Sequence, residues 1–467
     1  MNAIPTQLNA APHLIVIGAG ISGLTTALYL SRAGYQVTVL ERAARVGGLV
    51  ESVASDGFVY DLGPQSFLLS PALQKLIREV GLEQSLLQAP ARAPRFVYAA
   101  DRLWAVPLNP FALLTTPLFG WSTKRRLLLE PLRRTQPPEN ETVAAFTRRK
   151  FGEEFLDRLV GPFVSGIYAG DPERLGLRDA FPDLYTWERE HGSVVRGALR
   201  QRRPQERSGL VAVAGGNARL IEALARQLGN RVLCGVAVEA LELLPGESSG
   251  RFVLHLSAGA DRQLMADAVV VATSAPEAAR LLQNVDPAAA SLLQQVEYAP
   301  VGVVVTSFRR DQIQHSLEGF GFLLAEGAWA PVLGTVWTSS LFADRAPAGM
   351  CTLVSFVGGA RYPEALEWPE DRIAGCVQEM LRAVVGSSGP PQFCRVRVHR
   401  PGLPQYVVGH RSRMDRLRVR LAALAGLYLV GNYLEGISLP ACVELAMRTA
   451  RKIAEQLCVG TPARLAR

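Results

Sequence analysis

Four apolar residues, Leu14 to Ile17, run directly into Gly18-Ala19-Gly20-Ile21-Ser22-Gly23, and Glu41 follows Gly23 by eighteen residues. Few folds accommodate that order. A buried strand must end in a turn tight enough to need Gly18. Gly20 leaves bare backbone where a pyrophosphate can approach, and Gly23 lets the next helix pack close to the strand. The spacing predicts a helix over Ile21–Ala33 with Gly34 just beyond its end, then a second strand from Gln36 to Glu41. The amide groups at the start of that helix would face phosphates, and the Glu41 carboxylate is placed for ribose hydroxyls. Strand, glycine turn, helix, strand and acid together predict a dinucleotide site of Rossmann type.

The residues after Glu41 favour FAD over a nicotinamide cofactor. Arg42 and Arg45 are followed by the pair Gly47-Gly48, and Asp61-Leu62-Gly63-Pro64 makes a further tight turn. The longer flavin dinucleotide needs bare backbone along more of its length, and an isoalloxazine could lie against Gly63 and Pro64. No second G-x-G-x-x-G is present. Electrons are therefore expected to enter from the substrate and to leave to oxygen or a quinone.

Composition narrows the class. With 467 residues, 48% hydrophobic, the chain can bury the cores of two or three domains. Only four of its fifty basic residues are lysine, so the net charge of +8 reflects an arginine bias, and no nucleic-acid motif accompanies it. The six cysteines (234, 351, 376, 394, 442, 458) are scattered, without C-x-x-C pairs, which argues against a disulfide frame or a metal site. His191, His399 and His410 each admit a site role or a core role. Met1–Pro12 lacks the basic start and apolar core of a secretory leader, and no apolar run reaches spanning length. A cytoplasmic protein is expected.

Later strand signals are discontinuous. Val232–Leu243 reads as one strand, Ala268–Thr273 as a strand buried on both faces, and residues 296–358 as a mixed sheet. Leu427–Gly431 reads as a strand leading to a long helix over Pro440–Leu457. Between about 90 and 210 the pattern is helical and rich in proline and arginine. Here Trp104–Trp121 contains no charge and carries Phe111 and Phe119, while Lys124–Lys150 holds eight basic residues against three acids. An apolar, aromatic-flanked segment beside a basic cluster suits a surface of anionic lipid. The alternative is a loop over the core with a solvated basic helix.

Several segments together resemble the oxygen-dependent, FAD-containing protoporphyrinogen oxidase family. They are Ile15 to Leu24, Leu62-Gly63-Pro64, Pro94 to Tyr98, Phe163 to Asp171, Gly319 to Leu323, Pro404-Gln405-Tyr406 and Tyr433 to Ser438. The opening fingerprint is shared with amine oxidases and carotenoid desaturases, whereas the middle segments are more specific. The resemblance implies an α/β + α architecture. Its FAD domain would come from residues 13–88, 210–295 and 425–460, a helical membrane-binding insertion from 90–210, and a mixed-sheet substrate domain from 296–424. It implies oxidation of protoporphyrinogen IX by O2, at a peripheral membrane surface reached through residues 104–150, and it allows a homodimer. Arg95 is similar to the residue that pairs with a substrate propionate, and Phe320, Gly321, Leu323 and Phe356 to the wall against which the macrocycle lies. Val238 and Gly436-Ile437-Ser438-Leu439 match FAD-contacting backbone.

Read alone, these residues keep other meanings. Arg95 is equally a surface arginine at a strand start, Gly321 a bulge, and Phe356 a core residue. No general base is assigned and no metal is expected. FAD is expected to be noncovalent, because Cys442, six residues after Gly436, falls in the following helix. The rival readings are oxidation of coproporphyrinogen III, with four propionates in place of two, an amine oxidase or carotenoid desaturase, and a non-catalytic protein that binds a partner's lipid group.

Overall fold

A computed structural model describes residues 12–107, 109–200, 209–244, 252–258 and 262–459. The leader reading at Met1–Pro12 lies almost wholly outside them.

The apolar run at the start becomes the central strand, His13–Ile17, of a five-stranded parallel sheet. Across that sheet the order is Val232–Cys234, Gln36–Glu41, His13–Ile17, Ala268–Val271 and Leu427–Leu429. Side chains alternate between its faces. Leu14 and Val16 join one core with the helices Ile21–Arg32, Ala218–Leu228 and Leu439–Val459. Ile15 and Ile17 join another with Ala275–Leu282 and His410–Ala422. Burial on both faces explains why these strands are apolar throughout.

The stretch 232–243 is two strands. At Gly235, φ +75°, the chain leaves the parallel sheet, and Val238–Leu243 starts a three-stranded antiparallel sheet. An apolar pattern shows that both halves are extended but carries no sign of the bend between them.

The second large layer is a seven-stranded sheet ordered Phe393–Pro404, Tyr298–Arg309, Met350–Gly358, Val332–Val336, Gly321–Leu324, Arg95–Ala99 and Arg102–Ala105. Its last two strands lie in the stretch read as a helical insertion, so the helices begin later, at Pro110–Thr115. One face packs on the helix Glu370–Val385 through Phe322, Trp337, Phe308 and Val357. The opposite face meets Phe58, Tyr60 and Leu62 from the nucleotide side through Val303, Val305 and Val354. The helix His410–Ala422, expected with the substrate domain, places Met414 and Leu417 in the core beneath the parallel sheet.

Within the insertion, Phe111 (76% exposed) and Trp121 (82%) project into solvent, as do Leu128 and Leu132. Phe119, expected beside them, is buried, its ring 5.2 Å from that of Phe155. The basic stretch divides similarly. Lys150 is buried against Glu130 and Glu188, at 3.2 and 2.8 Å, and Arg149 pairs with Glu141 and Glu188. Arg125, Arg126, Arg133 and Arg134 stay exposed. Sequence counting could not separate Arg149 and Lys150, turned inward or paired, from the arginines facing water. Among the described residues no helix is long and apolar enough to cross a membrane.

Candidate functional site

The glycine turn lies at the carboxyl ends of the parallel strands, where open α/β sheets bind ligands. Gly18, φ +106°, donates its N–H to Leu40 O at 2.7 Å, and a Cβ there would stand 2.8 Å from Ala272 O. A Cβ on Gly23 would fall 2.0 Å from Gly18 O, so helix and strand touch there. Gly20 differs: a Cβ would meet nothing within 4 Å. Gly48 faces the same space, with Gly20 Cα its nearest neighbour at 3.8 Å from an added Cβ. The helix over Ile21–Arg32 starts at Gly20 with no side-chain cap and no acid in its first turn. Bare backbone, open space and the uncapped amides of Ile21, Ser22 and Gly23 form a cradle that could hold a pyrophosphate.

Around this cradle the other expected cofactor residues take distinct places. Glu41 accepts from Ala19 N–H at 2.7 Å and from Ala43 N–H at 2.9 Å, so its carboxylate braces the turn. Gly47, φ +114°, donates to Ala19 O at 2.9 Å and ties the second glycine pair to the first. Arg42 is exposed, 3.9 Å from Glu277. Glu277 also pairs with Arg280, which donates to Val238 O at 2.6 Å, so Arg42 and Val238 are linked through one ion pair. A Cβ on Gly63 would lie 2.0 Å from Leu49 O, which sets Gly63-Pro64 directly behind Gly48. Ser438 Oγ accepts from Ala441 N–H at 3.3 Å, and Leu439 opens the long C-terminal helix. Gly436 and Ile437 precede it, Ile437 packing beside Val143 and Tyr168. Cys442 lies in that helix, where burial pushes its thiol up to about 11. A neutral, enclosed thiol is a poor nucleophile.

Arg95, Gly321, Leu323 and Phe356 share one face of the seven-stranded sheet. Arg95 registers with Gly321, Gly321 with Val336, Leu323 with Val97 and Gly334, and Gly334 with Phe356. Residues level in register point the same way, and this is the face that meets Phe58 and Leu62. Arg95 is exposed, and among the described residues no carboxylate pairs with it; its guanidinium carbon lies 5.2 Å from the Phe320 ring. Phe320 precedes the strand and packs near Ala89, Ala212 and Phe342, a shelf beneath Arg95. Gly321 has φ +133°, and a Cβ would meet Thr335 O at 2.1 Å. Its glycine is thus required by the neighbouring strand, with no bulge at that pairing. Leu323 rests on Gly166 of the helix Gly161–Tyr168, and Phe356 is half-buried beside Leu333 and Ala169.

Sequence reasoning left the three histidines equivalent. His191 is at the surface end of its helix, Pro182–His191. His399 Nε2 lies 2.6 Å from Leu62 O, and His410 Nε2 lies 2.7 Å from Tyr433 O. Two further groups went unsingled: Gln65 Nε2, which donates to Asp61 O and Gly63 O at 2.8 Å each, and Arg345, 3.2 Å from the buried Asp61 carboxylate. Burial raises the Asp61 pKa, with Arg345 and Ser52 opposing. No local motif marks Arg345, because Asp61 is more than 280 positions away, and the Gln65 bonds need the turn at 61–65 to be folded first.

Residues 21–457 match the family described as flavin containing amine oxidoreductase. A chloroplastic protoporphyrinogen oxidase of Nicotiana tabacum is 30% identical over 94% of this chain and 85% of its own length. The coproporphyrinogen III oxidase of Bacillus subtilis is 29% identical over 92% of this chain and 96% of its own. Among solved structures, a "Putative protoporphyrinogen oxidase" from Exiguobacterium superposes with a TM-score of 0.81 at 24% identity, covering 96% of this chain and 99% of that one. Cyclohexylamine oxidase from Brevibacterium oxydans gives 0.69 at 19% identity, covering 96% and 100%.

Proposed function

Because the chain belongs to the flavin-containing amine oxidoreductases and is an FAD-dependent oxidoreductase, we propose that it oxidises protoporphyrinogen IX to protoporphyrin IX. Six electrons leave the macrocycle in three two-electron rounds, each reducing one O2 to H2O2. The parallel sheet is read as Rossmann-type. Its uncapped helix would hold the pyrophosphate at Gly20–Gly23 and Gly48, with Val238 toward the adenosine and Gly63, Pro64 and Gly436–Leu439 toward the flavin ring.

The observation that carries the substrate is the contrast on one sheet face. Arg95 stands, with no carboxylate partner among the described residues, beside the apolar positions Val97, Gly321, Leu323, Val336 and Phe356. A porphyrinogen presents that pairing, a broad apolar ring with a carboxylate on its rim. A planar guanidinium can grip such a carboxylate through two parallel hydrogen bonds. FAD held there would supply the two-electron acceptor for the macrocycle's hydrogens and the route of those electrons to oxygen. The chain's own part is to set the ring, to anchor its propionate and to keep water from the apolar face. No side chain is assigned as a base.

The second reading, coproporphyrinogen III, is favoured by the Bacillus relative. Four propionates call for more free cations. Near this face Arg397 is paired with Glu51, and Arg361 with Asp171 and Glu326. Aerobic turnover of the two porphyrinogens side by side, followed by porphyrin fluorescence, decides between them. Preference for coproporphyrinogen III overturns the first reading.

Membrane attachment is also proposed, through Phe111, Trp121, Leu128 and Leu132 with Arg125, Arg126, Arg133 and Arg134 beside them. Apolar side chains in the lipid interface and arginines against anionic headgroups would reinforce each other.

A further inference from the structure

Buried carbonyls are nearly always paired, most often with backbone N–H groups. In two segments that contain or lead into the residues the proposed function sets against the flavin ring, 61–65 and 432–433, successive carbonyls are instead held by side chains. Gln65 donates to the carbonyls of Asp61 and Gly63, and His399 donates to that of Leu62 between them. In the second segment the Tyr406 hydroxyl donates to Asn432 O at 2.7 Å and His410 to Tyr433 O. The carboxylate of Asp61 is fixed in turn by Ser52, by the Asn217 backbone and by Arg345.

A carbonyl oxygen only accepts, so both imidazoles carry their hydrogen on Nε2. Both are enclosed. Burial holds the pKa of each below the ordinary histidine value, His410 down to about 4. The Nδ1 of His410 has no hydrogen-bond partner among the described residues, and its ring stacks on Tyr406 at 4.3 Å and 12°. One Nε2 donor apiece, each spent on a backbone carbonyl, suits an orienting task.

The donors also come from across the molecule. His399 belongs to the edge strand Phe393–Pro404 of the seven-stranded sheet, level with Val301 on the face that meets the nucleotide side. His410 opens the helix His410–Ala422, which packs beneath the parallel sheet. Each therefore reaches from a separate element to a segment at the carboxyl end of the parallel strands.

We infer that His399 and His410 are positioning residues for the flavin, fixing the backbone of the 61–65 turn and of Asn432–Tyr433 ahead of Gly436, between which the ring would lie. This rests on the FAD placement proposed above. Their contribution is to pre-set the walls of the ring site, so that binding does not have to order them.

The test replaces each histidine by Leu, which fills space without donating, and by Gln, whose Nε2 can occupy the place of the imidazole Nε2. FAD affinity is measured by fluorescence on titrating apoprotein, alongside the reduction potential of the bound flavin and the split between kcat and KM. His399→Leu and His410→Leu are expected to weaken FAD by about tenfold or more, as a buried carbonyl loses its donor. They should shift the reduction potential and lower kcat while leaving KM for the porphyrinogen near the parent value. The Gln variants should recover most of each effect. Leu variants whose apoprotein melts as the parent does, yet whose FAD affinity and potential are unchanged, overturn the inference, and so do Gln variants as defective as Leu. Should a Leu variant fail to fold, Gln is compared with Asn, which is too short to place a donor at Nε2; equal FAD affinity in those two overturns it as well. Failure of the unmodified protein to bind FAD would instead strike at the cofactor placement itself.

Discussion

Replacing Arg95 by Ala isolates the proposed anchor. The side chain is exposed, lacks a carboxylate partner among the described residues, and has the Phe320 ring 5.2 Å away as its recorded side-chain contact. Its removal leaves no buried charge behind, and the cation–π contact is worth only about 0.5–1 kcal/mol at an exposed site. Folding and FAD content should therefore barely change. Substrate binding should suffer more. A hydrogen bond to a charged group contributes about 1.5–3 kcal/mol. Solvent screening at an exposed site argues for the lower part of that range. At about 1.4 kcal/mol per tenfold, KM for protoporphyrinogen IX should rise roughly 10- to 30-fold. Because the propionate is remote from the methylene bridges, kcat should stay within about twofold. Arg95→Lys keeps the charge but loses the planar fork and the stacking on Phe320, so its KM should fall between the two. Initial rates by porphyrin fluorescence, with FAD quantified by absorbance, supply both parameters. An unchanged KM in Arg95→Ala would refute the anchor; a loss of FAD together with kcat would show that Arg95 acts on the fold.

Gly321→Ala forces a Cβ to 2.1 Å from Thr335 O at φ +133°. Backbone strain of this kind costs on the order of 1–3 kcal/mol before the clash is counted, so a clearly lowered Tm is expected by calorimetry; an unaltered Tm contradicts the tight strand approach. Lys150→Met leaves Glu130 and Glu188 buried with one cation fewer, and breaking a buried pair costs about 3–5 kcal/mol. Adding Glu130→Gln should restore part of that Tm loss, and no restoration would argue against coupling. Burial alone would raise the Glu188 pKa, but hydrogen bonds from Arg149, Lys150 and Thr135 hold it below the usual carboxylate range. Its stabilisation is therefore present above the ordinary glutamate pKa and disappears as pH falls through the lowered folded value. Acid unfolding of Glu188→Gln should show a shallower loss of stability in that window. Phe111→Ser with Trp121→Ser should reduce sedimentation with anionic liposomes, whereas Phe119→Ser should act on stability; equal liposome binding by the double variant would remove the membrane surface.

The first fifty residues carried their own structure because the contacts they specify are local. A Cβ at Gly23 would strike Gly18, and Gly20 and Gly48 leave the same opening clear. Periodicity likewise announced the doubly covered strands at 13–17 and 268–271, since burial on both faces requires apolar residues throughout. Where two segments had to meet, the sequence was silent. Arg95–Ala105 reads as part of a helical stretch until its strand finds Gly321–Leu324, more than 200 positions away. Phe119 and Trp121 look alike on paper, yet one is buried and the other bare; Lys150 and Arg134 both count as positive, yet only Lys150 faces two buried carboxylates. The histidines gained meaning only through Leu62 and Tyr433. Covalent neighbours thus determined the dinucleotide turn and the character of the layers. Long-range pairing decided which cations were free, which aromatics reached solvent and which donors hold the backbone at Leu62 and Tyr433. A residue's chemistry is written in its type, but its partner is set by the fold.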